Sequence, residues 1–509
     1  MTNPHKDRQA AFWRVELWLA TPISRRSCVL GWCAATTLFL AIVGVLGGPS
    51  LTDTPQSVYG TWAIAHGDIH CAYPAASFER YSPIAPTYLL LSGAIAAATG
   101  IGHTVAFPPA GALGASCDGA FVAMNRWAGD AGALRPTTWI GCIGWLVLMA
   151  GVVAWLRSSG RGRQRWEPVT LLVLACLPTV WACVQVTFHP EDLLAIGFAL
   201  AAMACACRGR WKCGGIFIAL AVLSQPFALL VAAPLLLVAP ANRKISYAAA
   251  AVTTTALIDI PLLAATAGHA LRAITLGTGD KPDMGGTVLW ELHLHGAPLL
   301  LLSRVSPVAA SVGLSWWVAR RLGPKVLRPT TLFSLVAVSL SLRLVFEVNL
   351  YEYYFMALAV ALVLLDVTRG YIRSSTIAWL GAVTLVFCLL RGLSFESIGL
   401  GGYVTSLQPL LFLAPAIAMM VVLVHRGGGT RNLLPWLGVA LCALLTWPGH
   451  SPPYGFYSVA WLWQIVLVGS GIMIAAGPLL SEVRRAERAL HPNGADNPAQ
   501  RQGGVVASW

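Results

Sequence analysis

Two acidic residues early in the chain, Asp53 and Asp68, stand among aromatic residues and prolines in a setting suited to proton transfer. Asp53 belongs to Thr52-Asp53-Thr54-Pro55-Gln56, directly after a long apolar run. The segment continues through Tyr59, Gly60 and Trp62, then Gly67-Asp68-Ile69-His70-Cys71-Ala72-Tyr73-Pro74 and Tyr81-Ser82-Pro83. A carboxylate at a water–lipid boundary can accept a proton from a hydroxyl, its basicity set by its surroundings. The same residues also suit a plain helix start, with Thr52 or Asp53 as cap and Pro55 in the first turn. A second group is His189-Pro190-Glu191-Asp192, where one imidazole and two carboxylates could bind a divalent cation, orient a substrate, or cap a helix beginning near Asp192. A third is Arg343 with Glu347, Asn349 and Tyr353. An arginine inside an apolar run is costly unless paired, so Arg343 either pairs with Glu347 at i+4 or clamps a phosphate. Arg304 is the alternative clamp. Trp62 and Trp290 fall in polar stretches where an indole can stack on a ring. The neighbours of Trp290, namely Glu291, His293, His295, Asp280 and Asp283, read as a solvated loop or as the wall of a pocket.

The elements that must position these groups are set by composition. Of 509 residues, 57% are hydrophobic and 11% charged, with mean hydropathy +0.68. Soluble proteins carry about 25% charged residues, so this chain lacks the polar surface of a water-facing globule. The expected fold is an all-α polytopic membrane protein with about twelve spans. They lie near 28–48, 137–156, 168–187, 192–207, 246–267, 300–318, 330–347, 354–368, 375–391, 403–424, 432–448 and 457–479. Basic residues gather in alternate loops, around 157–165, 208–212, 320–328 and 484–488, and acids in the others. By the positive-inside rule both termini are cytoplasmic, in a multi-pass protein of the plasma membrane. Residues 1–27 form a cytoplasmic N-terminus, 28–479 the membrane domain, and 480–509 a polar cytoplasmic tail expected to be disordered. The first apolar run is long enough to remain as a span, so no cleavable signal peptide is expected.

Two stretches break the alternation. Residues 49–136 read as one large outer loop whose helices lie on or dip into the membrane. Residues 213–240 have basic turns at both ends, so they must go out and return. At 1.5 Å per residue they reach roughly 42 Å, too little for two crossings of about 30 Å each. With Ser224-Gln225-Pro226 near the middle, they are expected to form a hairpin of two half-helices.

The net charge of +13 does not imply nucleic acid, because the basic residues are spread over every inner turn and form no single patch. The twelve cysteines contain no metal-type pair. Cys71 and Cys117 share the large outer loop, where an oxidising compartment leaves a disulfide open to them.

The Asp just after the first span, the aromatic-Ala helix, the Ala-Tyr-Pro at 72–74 and the Tyr-x-Pro at 81–83 resemble the first outer loop of GT-C membrane glycosyltransferases. The likeness is to the family 87 branch, the polyprenyl-phosphate-mannose-dependent enzymes. His189-Pro190-Glu191-Asp192-Leu193-Leu194, the Leu223-Ser224-Gln225-Pro226 stretch, and Arg343 through Tyr351-Glu352-Tyr353-Tyr354 add to it, covering roughly 30–370. In that family the outer-loop Asp is the catalytic base, a role the resemblance gives to Asp53. The first Tyr lies six residues after Asp53, further than in many relatives, which keeps Asp68 as second candidate. The resemblance implies a polyprenyl-phosphate sugar donor, mannose or arabinose, and a lipid-linked or glycan acceptor of the cell envelope. It implies no metal and no cofactor. Donor-phosphate contacts fall to Arg343, Arg304 and His189. The pocket falls to Glu191, Asp192, Trp62, Tyr59, Asn349, Tyr353 and Trp290. Its rivals are a multi-span lipid or polyol transporter, which would explain the spans and the hairpin, and a polysaccharide polymerase or ligase.

Overall fold

The computed structural model describes residues 14–46, 54–74, 85–100, 116–127, 135–185, 187–270, 287–294, 298–299, 301–348, 350–391, 408–426, 430–446 and 460–490. Among them there is no β-strand, and the architecture is all-α. In chain order the helices are α1 (Arg25–Leu46), α2 (Thr54–Ala65), α3 (Pro86–Thr99), α4 (Cys117–Trp127), α5 (Ile143–Ser158), α6 (Trp166–Cys176), α7 (Pro178–Gln185), α8 (Pro190–Cys207) and α9 (Trp211–Val222). They continue with α10 (Leu229–Val238), α11 (Ala241–Ala265), α12 (Ser306–Leu322), α13 (Pro329–Val345), α14 (Phe355–Arg369), α15 (Ser374–Arg391), α16 (Gln408–His425), α17 (Leu434–Thr446) and α18 (Ala460–Leu490).

Every segment expected to span carries a helix, but their lengths differ. Five of those described are long and apolar enough to cross a membrane, and six if α6 and α7 form one broken span. That pair is bent by 56°, where the sequence suggests a continuous run over 168–187. Pro178 explains the bend: it has no amide hydrogen to continue the ladder, and it holds Leu177 at ψ 123° in the extended region. Around 300–318 the regular helix starts only at Ser306, after a one-turn π-helix at Leu301–Val305. At the C-terminus α18 runs to Leu490, so the tail assigned to 480–509 begins as helix. Its Glu482 and Glu487 pair with Arg328 and Arg321, and these i, i+5 acids keep the last turns docked.

The helices present one basic end and one acidic, aromatic end. Glu167 is fully buried at the basic end, where it accepts from the Trp32 indole at 2.9 Å, from Arg157 at 3.3 Å and from the Arg163 amide at 3.0 Å. Asp366 is fully buried there too, held by Arg373 Nε at 2.6 Å and the Arg373 amide at 2.8 Å. Each carboxylate leaves water only because several donors replace it.

The hairpin expected over 213–240 is present. α9 starts beside the start of α11, with the Trp211 ring edge-on to Tyr247 at 6.1 Å. It climbs to a break at Ser224-Gln225-Pro226, where the Thr87 amide donates to the Leu223 carbonyl at 3.2 Å. α10 then descends along α12, with Ser311 Oγ donating to the Leu230 carbonyl at 3.4 Å. Twelve and ten residues rise about 18 and 15 Å, so neither arm matches a hydrocarbon core of about 30 Å.

The helices described within 49–136 are also shorter than a crossing, at 12, 14 and 11 residues for α2, α3 and α4. α2 and α3 run side by side in the same direction, joined by Thr61 and Ser92 hydroxyls 2.7 Å apart. A methyl on Gly93 would collide with Ile64, so the glycine is what lets the two helices close. A disulfide between Cys71 and Cys117, with Cα atoms 5.1 Å apart, ties α4 to the turn after α2.

Candidate active site

The acidic, aromatic end gathers residues from five segments. α5 and α8 cross so closely that a methyl on Gly144 would press on the Pro190 carbonyl, and one on Gly151 would strike the Gly197 backbone. This fixes the first turn of α8. Just before it, Phe188 has φ +53°, a left-handed conformation unfavourable for a bulky residue. Complete burial and an edge-on contact with Tyr88 at 6.3 Å hold it there. Such strain concentrates at functional sites, and here it turns the chain so that His189, Glu191 and Asp192 all face inward, 7%, 2% and 2% exposed.

His189 Nδ1 lies 2.8 Å from Glu191 Oε1, and its ring stacks on Tyr353 at 4.4 Å and 13°. Gln225, at the hairpin apex, donates to the same Glu191 oxygen at 3.3 Å. The break in the hairpin therefore serves to bring a side-chain amide to the acid pair. Arg343, in the last turn of α13, donates from Nε to Glu347 Oε2 at 3.3 Å. Its guanidinium lies over Phe227 at 4.6 Å and over Tyr354 at 4.2 Å, contacts that favour a cation electrostatically. Asp192 is within electrostatic range of Arg343, His189, Glu191 and Glu347. The pairing of Arg343 with Glu347 is real, yet 17% of the arginine side chain stays exposed. Its two terminal nitrogens hold no hydrogen bond to the described residues.

Arg304 is exposed on the π-turn and within electrostatic range of Tyr354, so both candidate clamps approach one aromatic ring. Trp290 is half-buried in a short helix, Val288–Glu291. That helix is pinned to the end of α13 by Thr287 Oγ1 donating to the Val348 carbonyl at 2.7 Å. Gln464 bridges the same elements, accepting from the Val288 amide at 3.1 Å and donating to the Leu344 carbonyl at 2.6 Å.

Three candidates sit elsewhere. Tyr59 is fully buried, donates its hydroxyl to the Cys117 carbonyl at 3.0 Å and meets Phe121 edge-on. Burial, then Asp118 and Asp68, push that hydroxyl well above the usual phenol range, so it stays a neutral donor. Trp62 is 6% exposed and packed between Tyr59 and His66, which corrects the expectation that its ring is open to a sugar. Both hold the segment between α1 and α5 together. Asp68 lies past the far end of α2, partly exposed, beside the disulfide.

Asp53 and Asn349, with His295, Asp280 and Asp283, lie outside the described residues. Asp53 immediately precedes Thr54, the first residue of α2. One turn on, Ser57 and Tyr88 are both buried with hydroxyls facing each other, and Tyr88 is within electrostatic range of Glu191. The start of α2 is thus the end directed at the acid pair, while Asp68 stands roughly 15 Å further along the helix.

Gln225, Phe227 and Gln464 join the site without having been singled out by residue type or spacing. A polar residue next to a proline at a helix break was the one usable sign, for Gln225. No group of three metal-ligand atoms in this cluster lies within 4.8 Å; the one such group among the described residues is His70, Cys71 and Cys117, whose sulfurs are bonded to each other. No protein-family model matches the chain and no curated protein does either, so what this site does must be read from its own geometry.

Proposed function

We propose that this chain is a GT-C-like membrane glycosyltransferase that transfers a sugar, mannose or arabinose, from a polyprenyl phosphate to an envelope glycolipid or glycan. The observation that carries it is the convergence of Arg343, whose two terminal nitrogens hold no hydrogen bond to the described residues, on Asp192 and the aromatic group Tyr353–Tyr354, beside Glu191. A sugar phosphate linked to lipid needs a cation for its phosphate and acceptors for its hydroxyls, and Arg343 and the carboxylates of Glu191 and Asp192, from separate helices, support that reading.

In the reaction an acceptor hydroxyl attacks the anomeric carbon while the bond from that carbon to the phosphate oxygen breaks. Asp53 takes the hydroxyl proton. The lipid phosphate leaves with its charge balanced by Arg343, assisted by His189 and Arg304. The basic end of the bundle is the cytoplasmic end by the positive-inside rule, which makes the acidic end extracytoplasmic, both termini cytoplasmic and the protein a twelve-span resident of the plasma membrane with a re-entrant hairpin.

The hairpin also favours a second reading, a lipid or polyol transporter, since broken helices line transport pathways. Purified protein in nanodiscs, given radiolabelled polyprenyl-phosphate sugar and envelope glycolipids, separates the two. Transfer puts label into a new glycosidic bond. A transporter moves its cargo across a vesicle bilayer and leaves the donor intact.

A further inference from the structure

Two buried carboxylate oxygens in this site lack a hydrogen bond among the described residues. Glu191 gives Oε1 to His189 and Gln225, but its Oε2 has no partner among the described residues. Asp192 is more unusual: its carboxylate makes no hydrogen bond to any described residue, its Oδ1 is buried, and the residue is 2% exposed. Both oxygens belong to the first turn of α8, where the helix dipole favours negative charge. The dipole and Arg343 offset the charge of the pair, but neither satisfies the oxygens as acceptors. A buried carboxylate oxygen without a donor is unfavourable, and such groups persist where a ligand completes them.

The chemistry of the missing donor is narrow. A metal ion would need at least three converging ligand atoms, and no such set includes Glu191 or Asp192 among the described residues. A second cation is redundant where Arg343 is already within electrostatic range of Asp192. Neutral donors fit, and two acceptors on consecutive residues beside the His189–Tyr353 stack suit hydroxyls projecting from one ring. We infer that Glu191 Oε2 and Asp192 Oδ1 accept hydrogen bonds from hydroxyls of the donor sugar, while Arg343 holds its phosphate. This rests on the lipid-phosphate reading above for the identity of the ring, and it divides the site into a phosphate half and a sugar half. Asp192 and Glu191 then decide whether a polyprenyl phosphate is held with its sugar or without it.

Native mass spectrometry of the full-length protein in detergent tests the division with two probes, undecaprenyl phosphate and undecaprenyl-phosphate mannose. The wild type should hold the sugar-bearing lipid at least about tenfold tighter, which corresponds to about 1.4 kcal/mol. Asp192→Asn and Glu191→Gln should shrink that gap to about twofold or less, while binding of the bare lipid phosphate does not weaken, because each variant removes negative charge near Arg343. Arg343→Gln should weaken both lipids alike. A wild-type comparison needs no folded variant: undecaprenyl-phosphate mannose with its sugar hydroxyls methylated keeps every oxygen but no donor, and it should bind no better than the bare lipid. If the methylated sugar keeps the full advantage, or both carboxamide variants do, the sugar half is not formed by these carboxylates, whatever becomes of the lipid-phosphate reading. If the wild type holds neither lipid, the lipid-donor reading itself fails and this assignment with it.

Discussion

Replacing Arg343 by Ala removes the Nε bond to Glu347 and two aromatic contacts, and leaves Glu347, 6% exposed, as a buried carboxylate without its cation. Breaking one side of a buried pair costs about 3–5 kcal/mol, mostly from the charge left behind. Arg343→Ala should therefore lower the midpoint of thermal unfolding clearly. Arg343→Gln/Glu347→Gln, which neutralises Glu347 together with its cation and leaves only Asp192 without the arginine, should recover most of that loss. Donor use should separate from stability. If Arg343 clamps a phosphate through its free terminal nitrogens, the double variant is well folded yet still raises the KM for donor, by about tenfold or more for a lost charge-assisted contact. Thermal unfolding in nanodiscs and initial rates at varied donor give both numbers from one preparation. A double variant that recovers stability and donor KM together would refute the clamp, leaving Arg343 as a partner for Glu347 and no more. An Arg343→Ala protein as stable as wild type would instead refute the reasoning about the buried pair.

The remaining expectations are simpler. The Cys71–Cys117 disulfide spans a sequence separation of 46, for which loop-closure entropy gives about 4 kcal/mol; Cys71→Ser with Cys117→Ser should lower the unfolding midpoint, and an unchanged midpoint would contradict its structural role. Asp366→Asn should destabilise by about 3–5 kcal/mol, because Arg373 loses its buried counter-charge. The donor KM should not change, since Asp366 lies at the opposite end of the bundle; a shifted KM with normal stability would contradict that separation. In a background without reactive thiols, Ile69→Cys, 38% exposed, should react with an impermeant maleimide in intact cells, and Lys212→Cys only after permeabilisation. The reverse pattern would invert the topology.

Much of the fold was legible because apolar run length and loop charge are local properties. Each expected run carries a helix among the described residues, and the hairpin over 213–240 follows from chain length against crossing distance, with Pro226 marking its break. The bend between α6 and α7 was legible in principle at Pro178 but hidden by the continuity of hydropathy around it. The helical start of the tail depends on pairing between Glu482, Glu487 and arginines more than a hundred residues away, which no local pattern reveals. In the site, His189, Glu191, Asp192, Arg343 and Tyr353 were found because charged or polar residues inside apolar runs are conspicuous. Trp62 is buried, against the expectation of an open ring, for the opposite reason. Aromatic residues in a polar loop look exposed until a disulfide and a parallel helix pair give that loop a core of its own. Gln225 is marked as a helix break by Pro226, but its role is not, because its partner, Glu191, is 34 positions away.

Transfer by the purified protein, wild type against Asp53→Asn, tests the central claim most directly. The amide keeps the shape of the carboxylate but cannot take a proton, and general-base assistance contributes about 10²–10⁴-fold. The account predicts label moving from polyprenyl-phosphate sugar into a new glycolipid with the wild type, and a loss of at least about a hundredfold with Asp53→Asn. Full transfer by Asp53→Asn alongside abolition by Asp68→Asn would move the base to Asp68. No transfer by the wild type, or full transfer by both variants, would contradict the account.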